Sequence, residues 1–149
     1  MIATIDTVHK KLKLTSIMRD YYVYIEGHGN DKINHAYAFG GPELAIKTLN
    51  RNFDLNIKDF VSVNFSTLPK IIDKLGGVDI DVDSEELNYI NGYIDGLNKI
   101  NGTSSAHISS VGVNHMNGTQ ALAYFRIRYT SGGDYKRNER HREVLSAIF

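Results

Sequence analysis

Short segments rich in β-branched residues alternate with helical segments along the whole chain. The predicted strands cover residues 2–8, 12–18, 21–25, 60–65, 78–82 and 124–129, and the predicted helices cover 42–52, 67–75, 84–94, 116–123 and 135–149. Such alternation is typical of proteins whose helices pack on the faces of a sheet. The sequence therefore predicts an α/β fold, with a central mixed β-sheet between helices on both faces in a three-layer αβα arrangement.

The length of the chain, 149 residues, predicts a single domain with a sizeable core. The first predicted strand begins without any lead-in, and the last predicted helix runs to the final residue. We therefore expect residues 1–149 to be one domain that is incomplete at both ends.

Composition excludes several classes of protein. The chain has no cysteine, which excludes disulfides, thiolate zinc sites and cysteine nucleophiles. It has no apolar run of about 20 residues that could span a membrane, and no signal-peptide pattern. It also has no Gly-x-Ser-x-Gly motif and no P-loop, so the sequence predicts neither a serine hydrolase nor a P-loop nucleotidase.

Basic residues are concentrated at the C-terminal end. Seventeen basic and 17 acidic side chains cancel over the whole chain, but five of the seven arginines lie in the last 24 residues. Because the chain is neutral overall and carries no nucleic-acid recognition motif, we expect no nucleic-acid partner. The sequence instead indicates a local cationic site on a slightly acidic body.

The spacing of these arginines predicts an anion site. A strand over 124–129 would place Tyr124, Arg126 and Arg128 on one face. The final helix would place Arg137, Arg140 and His141 on another shared face. The Gly132-Gly133 turn would bring the two groups together, and arginine suits bidentate phosphate binding. A solvated helix face with surface ion pairs is the alternative interpretation.

Five sequence motifs resemble those of one known family. They are Thr-Ser-Ile-Met-Arg-Asp at 15–20, Lys-Ile-Asn-His-Ala-Tyr at 32–37, Leu-Gly-Gly-Val-Asp at 75–79, Asn-Gly-x-Gln-Ala-Leu-x-Tyr-x-Arg-x-Arg at 117–128 and Gly-Asp-x-x-Arg-x-x-Arg at 133–140. In this order and over most of the chain, they resemble the LytR-CpsA-Psr domain. Two positions differ from the family pattern: Met18 stands in place of proline, and His141 in place of glutamine.

The resemblance implies an extracellular domain of Gram-positive bacteria, tethered to the outer face of the cytoplasmic membrane. Members of the family transfer phosphate-linked glycopolymers, such as teichoic acid or capsule, from a polyprenyl-pyrophosphate carrier to peptidoglycan. Their arginines hold the pyrophosphate together with Mg²⁺, and the lipid lies in an apolar tunnel. The membrane anchor and the acidic metal ligands of the family precede the segment that matches Met1, so we expect no metal ligand in this chain.

Roles carry over only to the positions that match. The resemblance implies pyrophosphate binding by Arg19, Arg126, Arg128 and Arg137, and Arg140 and His141 are further candidate binding residues. Asp134 is the candidate catalytic residue, and Asp20 and Lys32 are candidate supporting residues. Histidine at 141 can donate to a phosphate, and its charge would depend on pH.

Three alternative functions remain open from the sequence. One is a pyrophosphohydrolase that uses the same site. Another is a non-catalytic module that binds anionic wall polymer. The third is a regulator, in keeping with the older description of the family as transcriptional attenuators.

Overall fold

The computed structural model describes residues 1–148. The chain forms two compact units, Met1–Ser62 and Val63–Phe149. Within the described residues 1–148, the first unit contains four short strands and one long helix, and the second contains two strands and four helices.

In the first unit, the strands pair as two antiparallel hairpins. β1 (Ile2–Asp6) pairs with β2 (Lys11–Thr15), and β3 (Tyr22–Ile25) pairs with β4 (Gly29–Lys32). The sequence predicted only a loop at 27–31. The loop is shorter than that because Gly27 and Gly29, both at positive φ, turn the chain tightly enough for β4 to begin at once.

Helix α1 (Ile33–Phe53) begins nine residues before the predicted start at residue 42. Its backbone leaves helical geometry at Gly40 and Gly41, and Gly41 has φ +62°. α1 is thus two helical segments joined at a kink. The second segment begins at Pro42, where the missing N–H costs no hydrogen bond, as the sequence predicts.

The second unit begins with α2 (Thr67–Lys74), followed by β5 (Val78–Val82), α3 (Ser84–Asn101) and β6 (Gly112–Met116). It ends with α4 (Gly118–Arg126) and α5 (Gly133–Ile148). β5 and β6 pair antiparallel, with Val78 opposite Met116 and Val82 opposite Gly112.

The core of the second unit forms where β5 faces the helices. Val78, Ile80 and Val82 are buried, and the two aspartates between them are exposed, as the alternating pattern predicts. The helices contribute aliphatic side chains to the same cluster, including Ile72, Ile90, Ile94, Leu97, Leu122 and Val144.

Two capping boxes fix where α3 and α4 begin. Asp83 accepts a hydrogen bond from the Glu86 amide, and Glu86 accepts one from the Asp83 amide. Asn117 and Gln120 form the same reciprocal pair at the start of α4. Such boxes satisfy amides that a helix N-terminus would otherwise leave without a partner. The Asn-Gly-x-Gln part of the C-terminal motif therefore serves to start a helix.

The mixed α/β class is confirmed, but the expected central sheet is not formed. Within residues 1–148, the strands make three separate two-stranded antiparallel sheets. The predicted strand at 60–65 is irregular, and the predicted strand at 124–129 is helical as far as Arg126. Each strand of these sheets therefore has a single partner, in place of the expected continuous central sheet.

Candidate functional site

A cavity of about 210 Å³ opens on the second unit. Its walls combine three arginines with five aromatic rings. The lining residues are Phe65, Tyr93, Phe125, Arg126, Arg128, Tyr129, Arg137 and His141. Three of the predicted binding arginines are thus brought together, along with His141. We call this cavity the arginine pocket.

Arg126 and Arg128 reach the pocket in a way that the sequence did not predict. α4 ends at Arg126, and the next residue, Ile127, has an extended backbone with φ −55° and ψ 132°. Ile127 is fully buried and anchors the change of direction. As a result, Arg126 extends from the last turn of a helix and Arg128 from the extended segment after it. The prediction of a strand was wrong, but the two side chains still line one pocket.

Tyr124 does not share a face with these arginines, because it lies inside α4 and is 1% exposed. Its hydroxyl donates to carboxylate oxygens of Glu143 and Glu86. Burial, followed by the hydrogen bond to Glu143, raises the pKa of Tyr124 above its usual range. The hydroxyl therefore stays protonated and joins α4 to both α3 and α5.

The predicted shared face of α5 divides in two. Arg137 and His141, four residues apart, line the pocket. Arg140 lies with Val144 on the neighbouring stripe, and both are completely buried. A helix turns by about 100° per residue, so Arg140 and His141 project in clearly different directions.

Arg140 lies in the core and does not line the pocket. Its Nη1 donates to Glu86 Oε1 at 3.3 Å and to Thr130 Oγ1 at 3.0 Å, and its Nη2 donates to the carbonyl of Ile127 at 2.9 Å. Because these bonds point its guanidinium into the core, the structure does not support direct phosphate binding by Arg140.

His141 is held as a neutral ring against Phe125. The two rings stack, and His141 Nε2 lies 3.1 Å from the carbonyl oxygen of Phe125. A carbonyl can only accept, so Nε2 carries the proton and Nδ1 does not. Burial, followed by the charge of Arg137, lowers the pKa of His141 to about 4. At neutral pH, its one ring N–H is therefore already used within the protein.

Asp134, the candidate catalytic residue, is exposed in the first turn of α5 and is not among the residues that line the pocket. Its Oδ1 lies 3.9 Å from Nη1 of Arg137. An ion pair of this length with one exposed partner contributes little to stability. The structure thus places Asp134 beside a pocket arginine, and its catalytic role stays a prediction.

The remaining predicted residues form a cluster in the first unit. Asp20 accepts from Arg19 Nε at 3.2 Å and lies 3.2 Å from Lys32 Nζ. The hydrogen bond from Lys32 contributes most to lowering the pKa of Asp20. The amides of Ile33 and Asn34, at the start of α1, donate to the carbonyls of Tyr21 and Arg19. The first two family motifs therefore meet in space, although their function stays a prediction.

Several pocket residues were missed in the sequence. The sequence predicts only a strand position for Phe65, and it predicts no role in the site for Tyr93 or Tyr129. The signal for Phe125 and Tyr129 lies in the alternation Phe-Arg-Ile-Arg-Tyr at 125–129, where rings flank the arginines. Phe65 and Tyr93 are far away in sequence, and no local pattern connects them with the arginines.

The pocket residues do not fit a magnesium ion on their own. None of the lining side chains is a carboxylate, and nowhere in residues 1–148 do three or more Asp, Glu or His side chains gather as a metal site would require.

Within residues 1–148, no helix combines the length and apolar character needed to cross a membrane.

The fold and the pocket define a mixed α/β protein with a cationic, aromatic-walled cavity. The chain belongs to the LytR-CpsA-Psr family, whose model matches residues 1–149.

Curated relatives and solved structures agree with this assignment. The chain is 34% identical to a polyisoprenyl-teichoic acid–peptidoglycan teichoic acid transferase, TagU of Enterococcus faecalis, over 99% of this chain and 44% of the relative. It is 36% identical to the regulatory protein MsrR of Staphylococcus aureus, over 99% of this chain and 41% of the relative. The chain therefore spans less than half the length of these relatives.

Among solved structures, TagT of Bacillus subtilis superposes with a TM-score of 0.78 at 35% identity, over 98% of this chain and 56% of TagT. A second structure of TagT, with bound octaprenyl pyrophosphate lipid, gives a TM-score of 0.74 at 34% identity, over 98% of this chain and 55% of that one.

Proposed function

We propose that this chain binds a polyprenyl-pyrophosphate-linked glycopolymer and transfers the glycopolymer to peptidoglycan as a phosphotransferase. The observation that carries the proposal is the arginine pocket, where Arg126, Arg128 and Arg137 line one cavity with aromatic rings. The planar guanidinium groups of the arginines can bind the two phosphates bidentately, and the aromatic rings can pack against the first apolar units of the prenyl chain. The octaprenyl pyrophosphate bound to TagT and the activity named for TagU support this choice of ligand.

In the proposed reaction, an acceptor hydroxyl attacks the phosphorus that bears the glycopolymer. A new P–O bond forms to the acceptor, and the bond from that phosphorus to the bridging oxygen breaks. Prenyl phosphate leaves with the electron pair, and the acceptor hydroxyl gives its proton to the carboxylate of Asp134, the proposed catalytic residue. The three arginines stabilise the negative charge that develops on the bridging and leaving oxygens. Each charge-assisted hydrogen bond contributes about 1.5–3 kcal/mol.

The remaining predicted residues take subsidiary roles in this proposal. Asp134 is proposed as the catalytic residue next to Arg137, and Arg19 as a fourth phosphate ligand with Asp20 and Lys32 supporting it. Magnesium, expected from the family, would offset phosphate charge when bound. The residues that line the pocket provide no carboxylate for it, so in the proposed step the arginines alone offset the phosphate charge. We propose that the domain works at the outer face of the cytoplasmic membrane or in the cell wall.

Binding is tested first, by titrating the protein with octaprenyl pyrophosphate in a calorimeter. We expect Arg126→Ala and Arg137→Ala to weaken binding by at least about tenfold, equivalent to one charge-assisted hydrogen bond. Arg51→Ala is the matched control, because Arg51 lies over the Tyr24 ring in the first unit. Equal affinity of the wild type, Arg126→Ala and Arg137→Ala would reject the assignment.

The reaction is tested with a prenyl-pyrophosphate-linked glycan, with and without peptidoglycan. A transferase releases prenyl phosphate only when the acceptor is present, and glycan then appears on peptidoglycan. Release of phosphate without acceptor would indicate a pyrophosphohydrolase. Salt-sensitive binding of free wall polymer with no turnover would indicate a binding module. A DNA gel shift at low salt would favour the regulator that the name of MsrR suggests.

A further inference from the structure

Arg128 and Tyr129 lie on a short connection that is fixed at both of its ends. It is the segment from Ile127 to Thr130, which forms the first part of the connection between α4 and α5 at residues 127–132. The carbonyl of Ile127 and the hydroxyl of Thr130 flank Arg128 and Tyr129, and Arg140 donates to both, at 2.9 Å and 3.0 Å. One buried guanidinium therefore holds the Ile127 backbone on one side of two pocket residues and the Thr130 side chain on the other.

The guanidinium that makes these two bonds is itself held in place. Arg140 is 0% exposed, and its charge is paired with Glu86, which is 1% exposed. Glu86 is fixed by the capping box at the start of α3 and also accepts a hydrogen bond from Tyr124. The Arg140 guanidinium is thus connected to three helices: α3 through Glu86, α4 through Tyr124 and α5, to which Arg140 itself belongs.

A purely stabilising ion pair does not account for this geometry. Removing charges from water is costly, so a buried pair is weak support for stability on its own. Of the three hydrogen bonds that Arg140 donates, two go to the pocket-bearing connection and one goes to Glu86. A lysine would keep the charge for Glu86, but it lacks the planar fork that reaches two acceptors in different directions.

We propose that Arg140 is a positioning residue that clamps the connection 127–130, and so holds Arg128 and Tyr129 in the arginine pocket for a prenyl pyrophosphate. This inference rests on the proposed function, because the pocket must take that ligand. It gives Arg140 a role through the Ile127 carbonyl and the Thr130 hydroxyl in place of direct contact with phosphate.

The test compares Arg140→Lys with Arg142→Lys, the same change two residues further along α5. Octaprenyl pyrophosphate is titrated into each protein at several salt concentrations, and uncharged octaprenol serves as the comparison ligand. We expect Arg140→Lys to lose about tenfold or more in affinity for the pyrophosphate and to bind octaprenol unchanged. Its pyrophosphate affinity should also depend less on salt, because Arg128 no longer meets the ligand. Arg142→Lys should match the wild type.

Thr130 offers a second pair of variants that leave the buried charges intact. Thr130→Val removes the Oγ1 acceptor while keeping the shape of the side chain, and Thr130→Ser keeps the acceptor. We expect Thr130→Val to weaken pyrophosphate binding severalfold and Thr130→Ser to restore it. A loss of stability alone would not reduce the salt dependence, nor would it be rescued by serine.

The outcomes separate the two proposals. If the wild type does not bind octaprenyl pyrophosphate, the proposed function fails and this inference falls with it. If the wild type binds, but folded Arg140→Lys and Thr130→Val bind equally well with the same salt dependence, only the clamp is wrong. Loss of affinity for octaprenol to the same extent as for the pyrophosphate would also overturn the clamp, because the change would then not concern the phosphates.

Discussion

The guanidinium carbon of Arg126 lies 5.5 Å from the centre of the Phe65 ring. This contact joins the last residue of α4 to the segment that precedes α2. Phe65 also meets Phe125 edge to face, with ring centroids 6.5 Å apart. A cation over an aromatic face gains about 0.5–1 kcal/mol at an exposed site. The ring thus holds the arginine at the wall of the pocket before any ligand arrives.

We predict that Phe65→Leu weakens binding of octaprenyl pyrophosphate by about threefold, the factor that corresponds to one exposed cation–π contact. Phe65→Tyr should keep wild-type affinity, because tyrosine retains the ring face. Calorimetric titration measures both. The matched control is Phe60→Leu, since Phe60 is 57% exposed and Phe65 is 56% exposed. A wild-type affinity for Phe65→Leu would show that the ring does not hold Arg126.

The stability of the fold should depend on pH through His141. Its pKa is lowered to about 4 in the folded protein, first by burial and then by Arg137. An unfolded histidine has a pKa of about 6.5. Between these values, the unfolded chain binds a proton that the folded chain does not. The contribution of neutral His141 to the free energy of unfolding is therefore complete above about pH 6.5, and it is lost as the pH falls towards 4.

The measurement is the free energy of unfolding in urea between pH 7 and pH 4, for the wild type and His141→Gln. Other groups titrate in both proteins, so the difference between the two curves isolates His141. We expect the wild type to lose about 1 kcal/mol more than the variant over this range, after allowing for partial exposure of the ring. Parallel curves would mean that His141 is not held as a neutral ring.

Arg126 and Arg128 meet in one pocket, as the sequence predicts, but they reach it from a helix end and not from a strand. The alternation of Tyr124, Arg126 and Arg128 predicted a strand, because a period of two is the usual sign of one. The capping box at Asn117 starts a helix instead, and that helix ends at Arg126, before the buried and extended Ile127. The arginines meet because the helix stops at Arg126, and no local pattern shows that stop.

In the first unit, only the second of the two segments of helix α1 is predicted from the sequence. The Gly-Gly-Pro signal correctly predicted the second segment of α1, because proline at a helix start is a local effect. The earlier segment of α1, from Ile33, was missed. Its first two amides are satisfied by the carbonyls of Tyr21 and Arg19, which lie outside any local window. Local sequence signals predict whether a segment is a helix or a strand. Contacts with residues distant in sequence decide where a helix begins or ends, and which side chains meet in the pocket.

Asp134 provides a prediction that separates catalysis from positioning. In the transfer assay, we expect Asp134→Asn to lower the turnover by about 100-fold, the lower end for a residue that moves a proton. Its affinity for octaprenyl pyrophosphate should stay within about threefold of wild type, because Asp134 is exposed and lies 3.9 Å from the Arg137 guanidinium. Glu139→Gln is the control, since Glu139 is an exposed carboxylate on the same helix. A tenfold change in affinity with unchanged turnover would instead make Asp134 a residue that orients Arg137.

Gly118 in the C-terminal motif should be required for stability. A Cβ at this position would lie 2.5 Å from the Cα of Pro69 and would clash with the Pro69 carbonyl oxygen. These are backbone atoms, so α2 and α4 would have to move apart. The Gly118 amide also donates to Asp73 Oδ1 at 2.7 Å, a bond that this movement would stretch. We expect Gly118→Ala to lower the free energy of unfolding by about 1–3 kcal/mol.

The matched control is Gly92→Ala in α3, where an added Cβ meets nothing within 4 Å. Alanine should stabilise that helix by about 0.5–1 kcal/mol, because glycine loses more backbone entropy on folding. Urea unfolding of both variants measures the two effects, which have opposite signs. If Gly118→Ala were as stable as Gly92→Ala, the close approach of α2 to α4 would not be what requires glycine at this position of the motif.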